Sequence, residues 1–470
     1  MRLFNGTLAA LALSTPLMAQ GQPSVDWSSV QTETLQHYQA LLRLDTSDPP
    51  GNESLAANYL QQVLEREGIP VQLFEAEPNR ANLVARLKGN GKKRPLLIMG
   101  HTDVVRVDPK KWTFPPFSAA RDGGYIYGRG TIDDKDNVVA SLMTMLLLKR
   151  NHVLLDRDVI FLAEAGEEAA TRVGIEFMVR QHFPEIDAEY CLAEAGGTTR
   201  SGGRVQFAQI QAAEKVPHTI ELTAVGTSGH GSVPRMDNPV VHLAVAVAAL
   251  GLWKPPIRLT ETTREYFTRL TTFALPQDAA RYRAVLNPDS KAASDAVDYF
   301  AEHDPSKASM LRSSLSPTLL SGGLQVNVIP SEAKATIDVR LLPVEDPAAF
   351  LDAMRKVVND PLVKVEYTGQ NIRPDGKPAR LDSEVFHAIE SAVARNYDTT
   401  TIPAMSTGAT DMAYLRERGI QCYGIGSATD LEDVAKGFAS HSDQERLLES
   451  ELHRFVRFNW DLVLDLVRAK

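Results

Sequence analysis

Five short stretches hold acids and histidines where a chain can present them for chemistry. In Met99-Gly-His-Thr-Asp-Val-Val105 an apolar run ends on His101, with Asp103 two residues on. Neutral imidazole binds zinc well. A ligating histidine commonly gives its second ring N–H to a carboxylate, which fixes the tautomer, and Asp103 stands where it could accept it; a histidine at a strand end can equally be structural. Tyr127-Gly-Arg-Gly-Thr-Ile-Asp-Asp-Lys135 sets two aspartates between a glycine-rich turn and an apolar helix. Such aspartates serve as helix N-caps, and a carboxylate there can also bridge two cations. In Phe161-Leu-Ala-Glu-Ala-Gly-Glu-Glu-Ala169 an apolar run leads into Glu167 and Glu168. Adjacent carboxylates repel unless a cation is near. One can bind a metal while the other takes a proton from water, or both can sit in a solvated loop. Leu192-Ala-Glu-Ala-Gly-Gly197 offers Glu194, and Ala439-Ser-His-Ser-Asp-Gln-Glu445 offers His441. This mixed set of imidazoles and carboxylates suits zinc, with cobalt or manganese as substitutes.

Those side chains need elements to hold them. Helices are expected at Glu33–Leu44 and Glu53–Glu67, around the turn-rich Thr46–Gly51. Short strands are expected at Val71–Phe74, Asn82–Leu87, Pro95–Met99, Val159–Ala163 and Tyr190–Ala193, and Val138–Leu148 reads as a buried helix. Strands alternating with helices indicate an α/β layer with a largely parallel sheet. The texture changes near Ala213. His218–Val225 alternates as a half-buried strand, Pro239–Leu250 is an apolar helix, and Ile257–Ser316 is more polar and helical. Gln325–Ile329 and Ala333–Val339 read as two strands about a turn at Pro330-Ser331, and Val363–Tyr367 as another. From about Leu381 the alternation resumes, with elements at Glu384–Tyr397, Asp411–Arg418 and Gln421–Ile425 and a last helix from Ser442 onward. The simplest organisation is a catalytic α/β domain interrupted by a separate α+β domain.

The chain of 470 residues is 43% hydrophobic and 23% charged, with a net charge of −9, which argues against binding a phosphate backbone. No run after the N-terminus is long and apolar enough to span a bilayer. Met1-Arg2 followed by the mostly apolar Leu3–Ala19 reads as a signal peptide with cleavage after Ala19, and so as export to the periplasm or the medium. The two cysteines, Cys191 and Cys422, could pair in an exported protein, or remain buried thiols, since each lies in an apolar strand-like run.

Taken in order, His-x-Asp, Gly-Arg-Gly-x-x-Asp-Asp-Lys, Glu-Glu, Glu and His-x-x-x-Glu resemble the M20 family of metallopeptidases and aminoacylases. The stretch Gly100–Asp108, with Trp112, Pro116-Phe117-Ser118 and Asp122–Lys135, is similar to the branch containing carboxypeptidase S and N-acyl amino acid hydrolases. The resemblance covers nearly the whole mature chain. It implies a zinc-peptidase-like catalytic domain, its mostly parallel sheet flanked by helices, interrupted by an α+β lid and dimerisation domain. The expected division is a signal peptide at 1–19, catalytic parts at 25–212 and 375–470, and a lid at 213–374.

The resemblance further implies two zinc ions per chain, with His101 and Glu194 on one, His441 and Glu168 on the other, and Asp133 bridging them across a cis Asp133–Asp134 peptide. Glu167 would be the general base and Asp103 would orient His101. The metals would lower the pKa of a water, and Glu167 would take its proton and return it to the leaving amine. In Gly226-Thr-Ser-Gly-His-Gly-Ser-Val-Pro234, His230 is implied as an oxyanion donor supplied by a partner subunit; its residues alone also fit a surface histidine. Asn327 and Arg340, in Gln325–Pro330 and Asp338–Arg340, would bind substrate, with Arg340 forked onto a free carboxylate. Gly408, in the loop Ser406–Asp411, would receive the same carboxylate on backbone N–H groups. The chain departs from the family pattern at Gly166, Ala193, Ala195 and Asp136, and its lid carries extra residues at about Pro255–Pro317. None of these removes a ligand or the base.

The activity implied is cleavage of short peptides bearing a free C-terminal carboxylate. N-acyl amino acid deacylation is the alternative, because one metal site serves both. A non-catalytic metal- or peptide-binding protein is the reading from another class, and Glu167 argues against it. The expected partners are a small peptide or N-acyl amino acid and a second copy through the lid, with no nucleic acid and no membrane.

Overall fold

The computed structural model describes residues 24–369 and 373–469; the expected signal peptide lies outside them. A ten-stranded sheet forms the larger layer. Its order runs Val71–Glu75, Ala81–Leu87, Val159–Glu164, Leu96–His101, Tyr190–Ala193, Gln421–Gly424, Arg204–Glu214, Gly197–Ser201, Ala428–Asp430, and Thr401–Ser406 also pairs with Arg204–Glu214. The four strands from Val159–Glu164 to Gln421–Gly424 are parallel to one another. The Val71–Glu75 edge is antiparallel, as are the pairings of Arg204–Glu214 with Gly197–Ser201 and Gln421–Gly424. The sheet is therefore mixed, and parallel in the middle.

Successive side chains of a strand point to opposite faces, and the core divides accordingly. Leu96, Ile98, Val159 and Phe161 join one buried cluster. Leu97, Met99, Ile160 and Leu162 join the other, under Ile175, Met178 and Leu415. Apolar residues at every position suit central strands covered on both faces. On the first face lies the helix Lys135–Arg150, buried from Lys135 through Leu148 between the helices Trp27–Leu42 and Glu449–Val467. A helix apolar nearly all round has to sit in such a place. Among its buried polar residues, which include Asp136, Asn137, Ser141 and Thr144, Lys135 is the one cation. Its ammonium donates to the carbonyls of Leu41 and Leu44, at 3.1 and 3.0 Å, which ties the two helix ends together. Burial lowers its pKa to about 8.

After Glu214 the chain enters a second, antiparallel sheet ordered Ser314–Gly322, Glu332–Leu341, Val216–Val225, Val363–Tyr367. The helices Pro239–Leu252 and Pro347–Val358 pack on it. The extra lid residues form helices Glu261–Leu270, Pro276–Val285, Lys291–His303 and Pro305–Ser309. Phe267 and Phe300 from these helices bury against Ile402 and Met405 of the first sheet.

Several elements differ from the expectations. Only Val328–Ile329 of Gln325–Ile329 is extended, and it pairs with Gly229–His230 rather than with the following strand. The alternation of Gln-Val-Asn-Val reads as a strand, yet Leu324 and Val326 are fully exposed and have no neighbouring strand to lie on. The last helix begins at Glu449, because Arg446–Leu448 is extended and pairs with Tyr125–Tyr127. The strand Ser314–Gly322 starts within the stretch expected to be helical. Cys191 and Cys422 are buried free thiols opposite each other on adjacent parallel strands.

Two glycines let backbones meet beside the strand that carries Glu194. A Cβ at Gly196 would lie 2.1 Å from the Gly424 carbonyl oxygen, and one at Gly424 would lie 2.2 Å from the Glu194 carbonyl oxygen. Gly196→Ala is expected to cost about 1–3 kcal/mol, read as a lower urea midpoint; an unchanged midpoint would show that this contact yields freely.

Candidate metal centre

His101, Glu167, Glu168 and Glu194 emerge at the C-terminal ends of three neighbouring parallel strands, Leu96–His101, Val159–Glu164 and Tyr190–Ala193. That edge is where open α/β sheets bind ligands. Asp133 comes from the turn before the Lys135–Arg150 helix, across a cis Asp133–Asp134 peptide. His441 comes from the loop before Arg446–Leu448. His441, and Ala195 beside Glu194, hold left-handed backbone conformations at φ 61° and 66°. Non-glycine residues adopt these only where the surroundings enforce them.

The side chains converge on Asp133. One of its oxygens lies 2.9 Å from His101 Nε2, and the other 3.1 Å from His441 Nε2. Glu194 stands 3.8 Å from His101 Nε2, and Glu168 stands 3.1 Å from His441 Nε2. Two groups of three thus share one carboxylate: His101, Asp133 and Glu194; and Asp133, Glu168 and His441. Nitrogen and oxygen ligands at about 2.0–2.2 Å from one tetrahedral zinc stand roughly 3.3 Å apart, so both groups fit such an ion.

The charges ask for the same thing. Burial, then the charges of Glu167 and Asp133, push Glu194 well above the usual carboxylate range. Burial and the Asp411 charge push Glu167 up to about 8, against the opposing pull of His101 and Arg373. Hydrogen bonds to Asp133 and Glu168 raise His441 to about 10. Burial opposes the charge on His101, yet its bonds to Asp103 and Asp133 raise it well above its ordinary value. Asp133 is held low by the two histidines despite burial. Acids crowded together in this way favour a nearby cation, and divalent ions held by the two groups would lower the cost of their charge.

Asp103 meets His101 chiefly through its main chain. The ring Nδ1 is 3.0 Å from the Asp103 carbonyl oxygen and 3.5 Å from its carboxylate. The carboxylate oxygens instead accept the N–H groups of Glu167 and Glu168, at 3.1 and 3.0 Å. Asp103 therefore orients the ring and the adjacent pair of acids together. A third acidic group, Asp48, Glu53 and Asp103, is answered by protein: Arg80 bonds Asp48 at 2.7 Å and Glu53 at 2.6 Å.

Two further residues support the site. Glu445 is fully buried and accepts from Arg129 at 2.7 Å and from the backbone N–H groups of Gly130, Ile132 and Asp133. It fixes the turn that delivers Asp133; its spacing four residues after His441 was the available signal. Arg373, at the end of the lid, reaches Glu167 and Asp411, and no motif marks it.

The lid residues form separate groups. His230 pairs with Val328 in a two-residue ladder and takes hydrogen bonds from Ser232, and Gly231 donates to the Asn327 carbonyl at 2.8 Å. Arg340 is held by Asp338 on its own strand. Gly408 is exposed, its N–H donating to Ser406 Oγ. Among the described residues, no hydrogen bond or ion pair joins His230, Asn327, Arg340 or Gly408 to the Asp133 groups.

The sequence model of the peptidase family M20/M25/M40 matches residues 97–465. A probable carboxypeptidase S-like 2 from Dictyostelium discoideum is 27% identical over 396 residues, 81% of this chain and 74% of that protein. An N-fatty-acyl-amino acid synthase/hydrolase PM20D1 from Xenopus tropicalis is 28% identical over 379 residues, 78% of this chain and 72% of that protein. The fold matches the M20 family metallo-carboxypeptidase Sso-CP2 from Sulfolobus solfataricus with a TM-score of 0.66 at 21% identity, covering 92% of this chain and 98% of that one.

Glu445→Ala leaves the buried Arg129 without its carboxylate and frees the Asp133 turn. It is expected to destabilise the fold by about 3–5 kcal/mol in urea unfolding; a change below about 1 kcal/mol would remove Glu445 from this role.

Proposed function

The chain belongs to peptidase family M20/M25/M40 and is a hydrolase of that peptidase and amidohydrolase type, and we propose that it cleaves the amide bond of short peptides next to a free C-terminal carboxylate. The observation that carries this reading is Asp133, whose two oxygens face different histidines, with Glu167 close enough to act on the charges of His101 and Glu194. His101, Glu194 and Asp133 would hold one zinc ion, and His441, Glu168 and Asp133 the other. When bound, the ions supply Lewis acidity, polarising the scissile carbonyl and lowering the pKa of the attacking water. Glu167 accepts that water's proton as the C–O bond forms, then delivers it to the amide nitrogen as the C–N bond breaks. Asp103 keeps Glu167 in reach by holding its N–H. Arg340 and the Gly408 loop bind the carboxylate, Asn327 contacts the substrate, and His230 donates to the oxyanion.

Deacylation of N-acyl amino acids is the second reading. It is favoured by the Xenopus relative, an N-fatty-acyl-amino acid synthase/hydrolase. Both substrates end in a carboxylate next to an amide, so they ask the same of the catalytic groups. Export rests on the Met1-Arg2 start and the apolar Leu3–Ala19.

A homodimer through the lid is part of this proposal. Ser314–Gly322 is an edge strand with Leu319 and Leu320 exposed, and Val240, Val241 and Val245 are exposed on the Pro239–Leu252 helix. An exposed apolar edge is a template for pairing with another chain. Leu320→Asp is expected to shift the protein from dimer to monomer in analytical ultracentrifugation. A wild type that sediments as a monomer at all concentrations would end this part of the reading.

The activity is tested with a panel of dipeptides and N-acyl amino acids, before and after chelation and with zinc restored. Cleavage should be abolished by chelator and recovered with zinc, and the preferred panel members separate peptidase from deacylase. Glu167→Gln should keep its metal and lose about 100-fold or more in kcat; normal turnover in that metal-loaded variant would overturn the base assignment.

A further inference from the structure

Glu167 needs more than a fixed backbone to serve as a base, and one arginine supplies the rest. Its Oε1 lies 3.4 Å from Nη2 of Arg373. Nη1 of the same guanidinium lies 2.5 Å from Asp411 Oδ1. Arg373 follows the last lid strand, Val363–Tyr367, where the chain returns to the catalytic sheet. Asp411 closes the loop Ser406–Asp411 and is buried. From the other side Glu214 holds the same loop, accepting from the N–H and hydroxyl of Thr410 at 3.2 and 2.7 Å. One guanidinium therefore bridges the base, the glycine-containing loop and the end of the lid. Among the described residues it is the only cation paired with Glu167.

Without that cation, Glu167 would face Asp411 as a like charge in a buried setting, and its carboxylate would swing away. Asp103 would still hold the Glu167 N–H, but nothing would aim the oxygens. We propose that Arg373 is a positioning residue: it aims the Glu167 carboxylate at the attacking water and couples that aim to the Asp411 loop and the returning lid segment. This rests on the hydrolase reading above. Arg373 belongs to none of the five chemistry-bearing stretches, so the role is a property of this chain's fold rather than of its motifs.

The test compares wild type, Arg373→Ala and Arg373→Lys on whichever panel substrate wild type cleaves, with zinc content measured on each. Arg373→Ala should lose about 100-fold in kcat, with KM changed less than about threefold and both zinc ions retained. Arg373→Lys should recover part of kcat, because it restores the charge without the fork. Because alanine leaves buried Asp411 unpaired, a second variant, Arg373→Met with Asp411→Asn, removes both charges and should show the same loss of kcat. Wild-type kcat in either variant overturns the proposal. So does a loss confined to KM, which would make Arg373 a contact for the substrate carboxylate, and so does loss of zinc, which would make it a support for the metal ligands. A wild type inactive on the whole panel sinks the hydrolase reading itself, and this proposal with it.

Discussion

Asp133 has one carboxylate and two histidines to face. Each oxygen takes one, and Glu194 and Glu168 complete the two groups on either side. Much of the rest of the structure holds that carboxylate still. Glu445 and Arg129 brace the turn in front of it. Behind it, Asp134 accepts from the His101 N–H at 3.2 Å and from Asn137 at 2.6 Å. The helix that follows is buried along nearly its whole length, so the turn cannot shift without moving the core.

The cost of this arrangement is electrostatic. Glu164 and Asp411 are buried and Glu167 and Glu194 half-buried, and all four are pushed toward their neutral forms, desolvation being the largest cause in each. The protein meets part of the demand with Arg80, Arg129 and Arg373, each set against specific carboxylates. The Asp133 groups are different. Among the described residues no lysine or arginine pairs with Asp133, Glu168 or Glu194, and a divalent ion held there would supply the positive charge. That contrast separates the Asp133 groups from the Asp48–Glu53–Asp103 group, where Arg80 already stands.

Much of this was legible in the chain. The apolar runs Leu96–Met99, Val159–Ala163 and Tyr190–Ala193 marked the strands, and the acids and His101 at their ends marked the edge where chemistry gathers. Each stretch alone allowed a structural reading; their order drew attention to the set. Other features left no local trace. Arg373 lies 206 residues from Glu167 in sequence and in no periodic pattern. Glu445 was visible as a spacing, but its bonds to three backbone N–H groups depend on where the Gly128–Asp133 turn folds. Val326 misled because alternation implies a strand only when another strand lies alongside. The last helix was placed too early because Arg446–Leu448 is drawn into pairing with Tyr125–Tyr127, more than three hundred residues away.

If Asp133 bridges two metal ions, anomalous diffraction at the zinc edge, on crystals grown with zinc, will reveal both. Two peaks per chain are expected, one among His101, Asp133 and Glu194 and one among His441, Asp133 and Glu168, with none at Asp48 and Glu53. A single peak, or peaks that leave Asp133 without a metal on both of its oxygens, would contradict that bridging role.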